Sequence, residues 1–222
     1  MKRNFWLAGL VVLATPLTCR AVQIYDDFPA AIHSDERYVI YSHGRIVEGD
    51  DEKPVSPEFG VYDFPAIKQA LFAAGGFNLI AYHRPKNTEM GPYVAMMESW
   101  VRKLVQAGVK PSHITLVGFS RGGNLTAHAS GRLKDVGVNT AIMAICSKGD
   151  VTNETPLVLG GHVLSIYETT DVVGSCSKLA ERSKPVSFEE VAITTGRKHG
   201  AFFQPLPEWL KPLKDWIART SR

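Results

Sequence analysis

Between residues 38 and 219 short runs of β-branched, aromatic and aliphatic residues alternate with longer stretches whose apolar residues recur every three or four positions. This is the pattern of parallel strands joined by crossover helices. It predicts strands over 38–42, 77–83, 113–118, 140–146, 162–168 and 187–194, and helices over 57–74, 92–107, 121–133, 175–182 and 207–219. In the first helical stretch Tyr62, Ala66, Ala70 and Ala73 keep helical spacing, and Gly75-Gly76 ends it. Ile114-Thr115-Leu116-Val117 and Ala141-Ile142-Met143-Ala144-Ile145 are nearly continuous apolar runs, as expected of strands covered by helices on both faces. The fold class is therefore α/β: a doubly wound, mostly parallel sheet of about six to seven strands flanked by helices. Residues 22–37 form an irregular lead-in or one weak edge strand. No repeat, low-complexity tract or Pro/Gly-rich linker divides the 222 residues, so one domain is expected.

The N-terminus changes the picture. Lys2 and Arg3 precede an uncharged run over 5–17, and Cys19-Arg20-Ala21 places small residues around a cleavage position. Residues 1–21 read as a signal peptide and 22–222 as the mature domain, exported to a periplasm or secreted. Pro16 and Arg20 close the run short of the ~20 apolar residues a span needs, so no stable membrane span is expected in the mature chain. Pro16 and Thr18 also stand where a lipoprotein box has Leu and a small residue, which disfavours lipidation at Cys19.

Composition, at 45% hydrophobic and 21% charged, is that of a globular domain and excludes disordered, collagen-like and coiled-coil chains. The formal charge of +3 comes from Lys2, Arg3 and Arg20; without them bases and acids balance, and no nucleic-acid partner is expected. Export leaves Cys146 and Cys176 as an even pair in a compartment where disulfides persist. They are either bonded or two buried thiols, decided by whether their Cα atoms lie within about 7 Å. No His-Glu-x-x-His, paired Cys-x-x-Cys or acidic calcium loop occurs, so neither a metal nor a cofactor is expected. His33, His113, His128 and His162 have no partner spacing and read as structural.

The chemistry concentrates at Gly118-Phe119-Ser120-Arg121-Gly122, a G-x-S-x-G pattern between a buried strand and a helix of small residues. A serine on such a turn is held at strained angles with its oxygen above the sheet, and flanking glycines avoid clashes with the neighbouring chain. The segment resembles the α/β-hydrolase superfamily, and the order of elements extends the resemblance over residues 38–203. The resemblance implies an α/β-hydrolase fold and a chain order of nucleophile, acid and histidine, which fall here on Ser120, Asp171 and His199. Asp171 follows the strand over 162–168; Glu168 is a rival acid, but a residue three beyond the strand end suits a loop-borne acid better. His199 lies in Thr195-Gly196-Arg197-Lys198-His199-Gly200, which resembles the loop that brings in the base. The oxyanion site would take the amide of Arg121 and a second one from Ser42-His43-Gly44-Arg45, which resembles the family's HG turn. Its single glycine, where the lipase branch has three, leaves Gly44 and Arg45 both open.

The resemblance implies a serine hydrolase that cleaves an ester or related acyl bond of a small molecule through an acyl-enzyme, carboxylesterase-like. The dienelactone-hydrolase-like branch commonly uses cysteine where this chain has serine. A serine peptidase acting on short peptides, and a non-catalytic binding protein on a hydrolase scaffold, are the alternatives. Arg45, Arg84, Lys86, Arg121, Lys148, Arg197 and Lys198 follow strands or adjoin the loops above, so an anionic substrate is one expectation, with His43 and Arg84 as candidate contacts. The opposing reading pairs these bases with Glu48, Asp50, Asp51, Glu52 and Glu89. Only residues 147–161 separate the strand before the acid strand from that strand itself, too few for a helical lid. A Cys146–Cys176 bridge would brace the Asp171 loop, worth on the order of 3 kcal/mol by loop entropy.

Overall fold

The computed structural model describes residues 21–147 and 157–221; residues 1–20, with the expected leader and Cys19, and Lys148 lie outside the described residues. Seven strands form one sheet: β1 (Ile24–Tyr25), β2 (Tyr38–Ser42), β5 (Asn78–Ile80), β6 (Ile114–Phe119), β7 (Asn139–Met143), β9 (His162–Glu168) and β11 (Ser187–Ile193). Two short ribbons, β3 (Val55–Ser56) with β4 (Gly60–Val61) and β8 (Cys146–Ser147) with β10 (Val173–Gly174), stand apart from it. The helices are α1 (Phe64–Phe72), α2 (Met90–Gln106), α3 (Arg121–Arg132), α4 (Ser177–Ser183) and α5 (Pro207–Thr220). The sheet order is β1-β5-β2-β6-β7-β9-β11 and every neighbouring pair is parallel.

Alternation along the strands sends Val39, Tyr41, Val117 and Phe119 to one face, where Phe64, Ile67 and Leu71 of α1 and Trp209, Leu213 and Trp216 of α5 cover them. Tyr38, Ile40, Ile114 and Leu116 face the other way, under Tyr93, Met97 and Trp100 of α2 and Leu125 and Ala129 of α3. Leu179 of α4 joins Ala127, Ile142 and Val163 on that second side. The sheet is thus doubly wound, and among the described residues no helix intervenes between β7 and β9. No helix among them is long and apolar enough to cross a membrane.

Three boundaries differ from the sequence expectation. The helix expected over 57–74 begins at Phe64, because the Asp63 carboxylate accepts the Ala66 N–H at 3.0 Å as an N-cap and Pro65 occupies the first turn. The residues before it form the β3–β4 hairpin, turned by Gly60 at φ +78° and by the Ser56 hydroxyl accepting from the amides of Glu58 and Phe59. The strand expected over 140–146 stops at Met143, where Ala144 takes φ +52° and Cys146 passes into the separate ribbon with Gly174. The strand expected over 77–83 is paired only over Asn78–Ile80.

Cys146 and Cys176 are bonded, with Cα atoms 5.3 Å apart. The bridge and the β8–β10 ribbon together hold the stretch that follows Asp171. The double variant Cys146→Ser/Cys176→Ser should lose on the order of 3 kcal/mol in urea unfolding relative to the oxidised protein. A loss below about 1 kcal/mol would mean that the bridge constrains nothing the ribbon does not.

Candidate active site

The loops after β2, β6, β9 and β11 leave the same edge of the sheet, where open α/β sheets bind ligands. Ser120 is the single residue between β6 and α3 and takes φ 52°, ψ −120°, a region that costs a non-glycine residue of order 1–3 kcal/mol. Its N–H donates to the Met143 carbonyl and its carbonyl accepts from Asn124, both at 2.9 Å, so the turn is held from both sides. A Cβ at Gly122 would run into the carbonyls of Ser42 and His43, and one at Gly118 into the Thr126 hydroxyl. These two glycines let α3 start directly against the end of β2.

His199 sits in a 3-10 turn over Lys198–Phe202, its ring 4.8 Å from that of Phe119 and 6.1 Å from that of Phe59. Its Nε2 is 2.8 Å from Ser120 Oγ and its Nδ1 is 2.7 Å from Asp171 Oδ2. Asp171 is buried, and its Oδ1 accepts the Val172 N–H at 2.7 Å. A carboxylate accepts only, so Nδ1–H donates to Asp171 and Nε2 is left to accept from the serine hydroxyl. Such a chain can take the serine's proton as the oxygen attacks a carbonyl, with the resulting imidazolium held against a buried anion.

Glu168 does end β9, and its hydrogen bonds go elsewhere than His199: to the amides of Thr170, Thr195 and Gly196 and to the hydroxyls of Thr170 and Thr195. Burial alone would raise its pKa; the bonds from Thr170, Thr195 and Gly196 outweigh burial and hold the carboxyl below its usual range.

The HG turn is built differently from the substrate-contact expectation. His43 and Arg84 are both fully buried, so neither side chain meets solvent at the mouth. His43 donates from Nδ1 to the Gly44 carbonyl at 2.8 Å and accepts the Arg84 N–H on Nε2 at 2.9 Å. Arg84 donates through Nη2 to the His43 carbonyl at 2.5 Å and through Nε to Glu48 at 3.4 Å. Burial first, then the nearby Arg84 cation, keep the His43 imidazole well below its ordinary pKa, and hence neutral, as its accepting Nε2 requires. The pair supports the turn from beneath. Above it the Gly44 N–H faces the Tyr62 hydroxyl at 3.4 Å, itself 2.9 Å from that of Tyr41, while Arg45 opens a 3-10 turn over Arg45–Val47, which leaves its N–H without an acceptor in that turn. Arg121, first in α3, likewise has no intrahelical acceptor for its N–H.

Of the basic set, Arg121 donates to the Thr88 carbonyl, while Arg45, Lys86, Arg197 and Lys198 are exposed. Arg197 and Lys198 flank His199 and line an open hollow of about 370 Å³ with Glu58, Phe59 and Gln204. Glu58 and Phe59 belong to the hairpin that sequence periodicity hid inside a helix; the Asp63-x-Pro65 start signal was the clue to it. Among the described residues no cluster of three or more His, Cys, Asp or Glu is placed to hold a metal ion.

No family model and no curated protein matches the chain. Solved structures do. Arabidopsis thaliana SOBER1 aligns at TM-score 0.58 and 13% identity over 84% of this chain and 100% of its own. An esterase/lipase from an uncultured bacterium aligns at TM-score 0.59 and 13% identity over 84% and 78% of the two chains. A truncated carbohydrate esterase from gut microbiota aligns at TM-score 0.57 and 14% identity over 87% and 89%. At such identities the likeness speaks to architecture, and together with the sheet order and the serine turn it means that this chain has the α/β-hydrolase fold.

Proposed function

We propose that the protein is a serine hydrolase that cleaves an ester or related acyl bond of a small molecule, carboxylesterase-like. The observation that carries this reading is the unbroken line of hydrogen bonds from Ser120 Oγ through His199 to Asp171. The esterase and lipase neighbours support it. Ser120 Oγ attacks the acyl carbon while His199 Nε2 takes its proton; the amides of Arg121 and, from the HG turn, Arg45 receive the oxyanion. Arg45 is preferred to Gly44 because the Gly44 N–H already faces Tyr62. The tetrahedral intermediate expels the alcohol, which leaves with the proton from His199, and the acyl group stays on Ser120. Water then attacks the acyl-enzyme with His199 as base, which releases the acid and restores the serine.

The hollow beside His199 supports a substrate part carrying negative charge, since Lys198 pairs with Glu58 at 3.5 Å and the exposed Arg197 is left in excess. The disulfide supports an exported protein.

A fluorophosphonate probe tests the proposal because it reacts only with an activated serine. We expect near-stoichiometric labelling of Ser120, located by peptide mass, and turnover of short-chain aryl esters. Folded, oxidised protein with neither labelling nor turnover would make this a binding protein on a hydrolase scaffold. Esters of one size with and without a carboxylate, compared on wild type and Arg197→Ala, decide the charge preference: equal KM changes for both would remove it.

A further inference from the structure

The proposed chemistry uses Asp171 and His199 from the loops after β9 and β11, and leaves Glu168 at the end of β9 unexplained. It is fully buried, and its two oxygens divide their work. Oε2 accepts from the N–H and the hydroxyl of Thr170, both at 2.6 Å. Oε1 accepts from the N–H groups of Thr195 at 2.8 Å and Gly196 at 3.0 Å, and from the Thr195 hydroxyl at 3.4 Å. Thr170 immediately precedes Asp171, and Gly196 lies three residues before His199. We propose that Glu168 is a positioning residue: its carboxylate ties the loop carrying Asp171 to the loop carrying His199, one oxygen to each. The role rests on the catalytic assignment above.

The geometry explains why the position takes a carboxylate. Parallel register sets Glu168 beside Ile193, so both loops depart from adjacent strand ends, and the Thr169 N–H to Ile193 carbonyl bond at 2.9 Å is the last rung between them. Past that rung the chains carry inward-facing amides, and three of them converge on this one side chain. An ionised carboxylate only accepts, so it satisfies both loops together. Glutamine has the same shape, but its NH₂ end must face the amides of one loop and leave them unpaired. Aspartate is one methylene shorter and cannot span the two sets. Release of either loop shifts Asp171 relative to His199, and a misplacement near 1 Å costs about 100-fold in rate.

The test is a double-mutant cycle on the full chain with p-nitrophenyl acetate. Glu168→Gln should lower kcat about 10- to 100-fold with KM within about twofold of wild type. In an Asp171→Asn background the same substitution should cost no more than about twofold, since the contact it positions is already broken. Thr170→Val removes one donor from an exposed side chain, keeps the fold, and should lower kcat about three- to tenfold. A Glu168→Gln kcat within twofold of wild type, or losses that multiply with Asp171→Asn, overturns the role. If Glu168→Gln does not fold, Thr170→Val decides, and a wild-type kcat there overturns it. Asp171→Asn with wild-type kcat would instead overturn the catalytic assignment, and the positioning role with it.

Discussion

Ser120→Ala should lower kcat for aryl ester hydrolysis by about 10⁴- to 10⁶-fold, with KM little changed and probe labelling abolished. The size follows from what is lost. Without Oγ no acyl-enzyme forms, and the residual rate is what oriented water and the amides of Arg121 and Arg45 achieve unaided. The fold should survive, because the turn is held by the backbone bonds of Ser120 to Met143 and Asn124, neither of which uses the side chain. Thermal unfolding of the variant within about 2 °C of wild type is the companion measurement, no more than the ~2–4 °C that 1 kcal/mol gives in a domain of this size. A kcat within tenfold of wild type would place the nucleophile elsewhere.

Asp171→Asn should be nearly as damaging, about 10³- to 10⁴-fold in kcat. The Asp171 carboxylate has its two oxygens committed, Oδ1 to the Val172 amide and Oδ2 to His199. An asparagine keeps its oxygen on Val172 and turns its NH₂ to the ring, where it donates to Nδ1. His199 then carries its proton on Nε2, the nitrogen that must accept from Ser120, and the imidazolium loses its counter-charge. Glu168 does not take over, because its oxygens are occupied by Thr170, Thr195 and Gly196. Determination of kcat at saturating ester, with KM as the control for binding, decides it: a loss smaller than about tenfold would mean that another carboxylate serves the histidine.

Both variants fall on residues legible in the sequence, and the reason is physical. Ser120 needs glycines on both sides because the turn brings α3 against β2, so its position is written in five consecutive residues. The strands around 114–117 and 141–145 are unambiguous because strands covered on both faces are nearly continuously apolar. What periodicity could not carry was side-chain direction and capping. Arg84 follows a strand just as a substrate-binding arginine would, yet its stem turns inward beneath Gly44, which only the packing of His43 and Glu48 decides. The helix start at Phe64 was obscured because Tyr62 and Ala66 keep helical spacing across a boundary set by Asp63 and Pro65. Glu168 ends its strand as the sequence suggested, but its reach into two loops depends on the register between β9 and β11, which no local pattern encodes.

Three of the six described non-glycine residues with left-handed φ lie around the proposed catalytic centre: Ser120 and Ala144 directly after β6 and β7, and Lys198 beside His199 in the loop after β11. Each forgoes of order 1–3 kcal/mol that a glycine or a relaxed loop would recover. The molecule therefore sits below the stability its own fold permits, and half of the described non-glycine positions that lower it adjoin the proposed chemistry. Selection for heat resistance alone would count a glycine at Ser120 among its gains, and would dismantle the nucleophile in taking it.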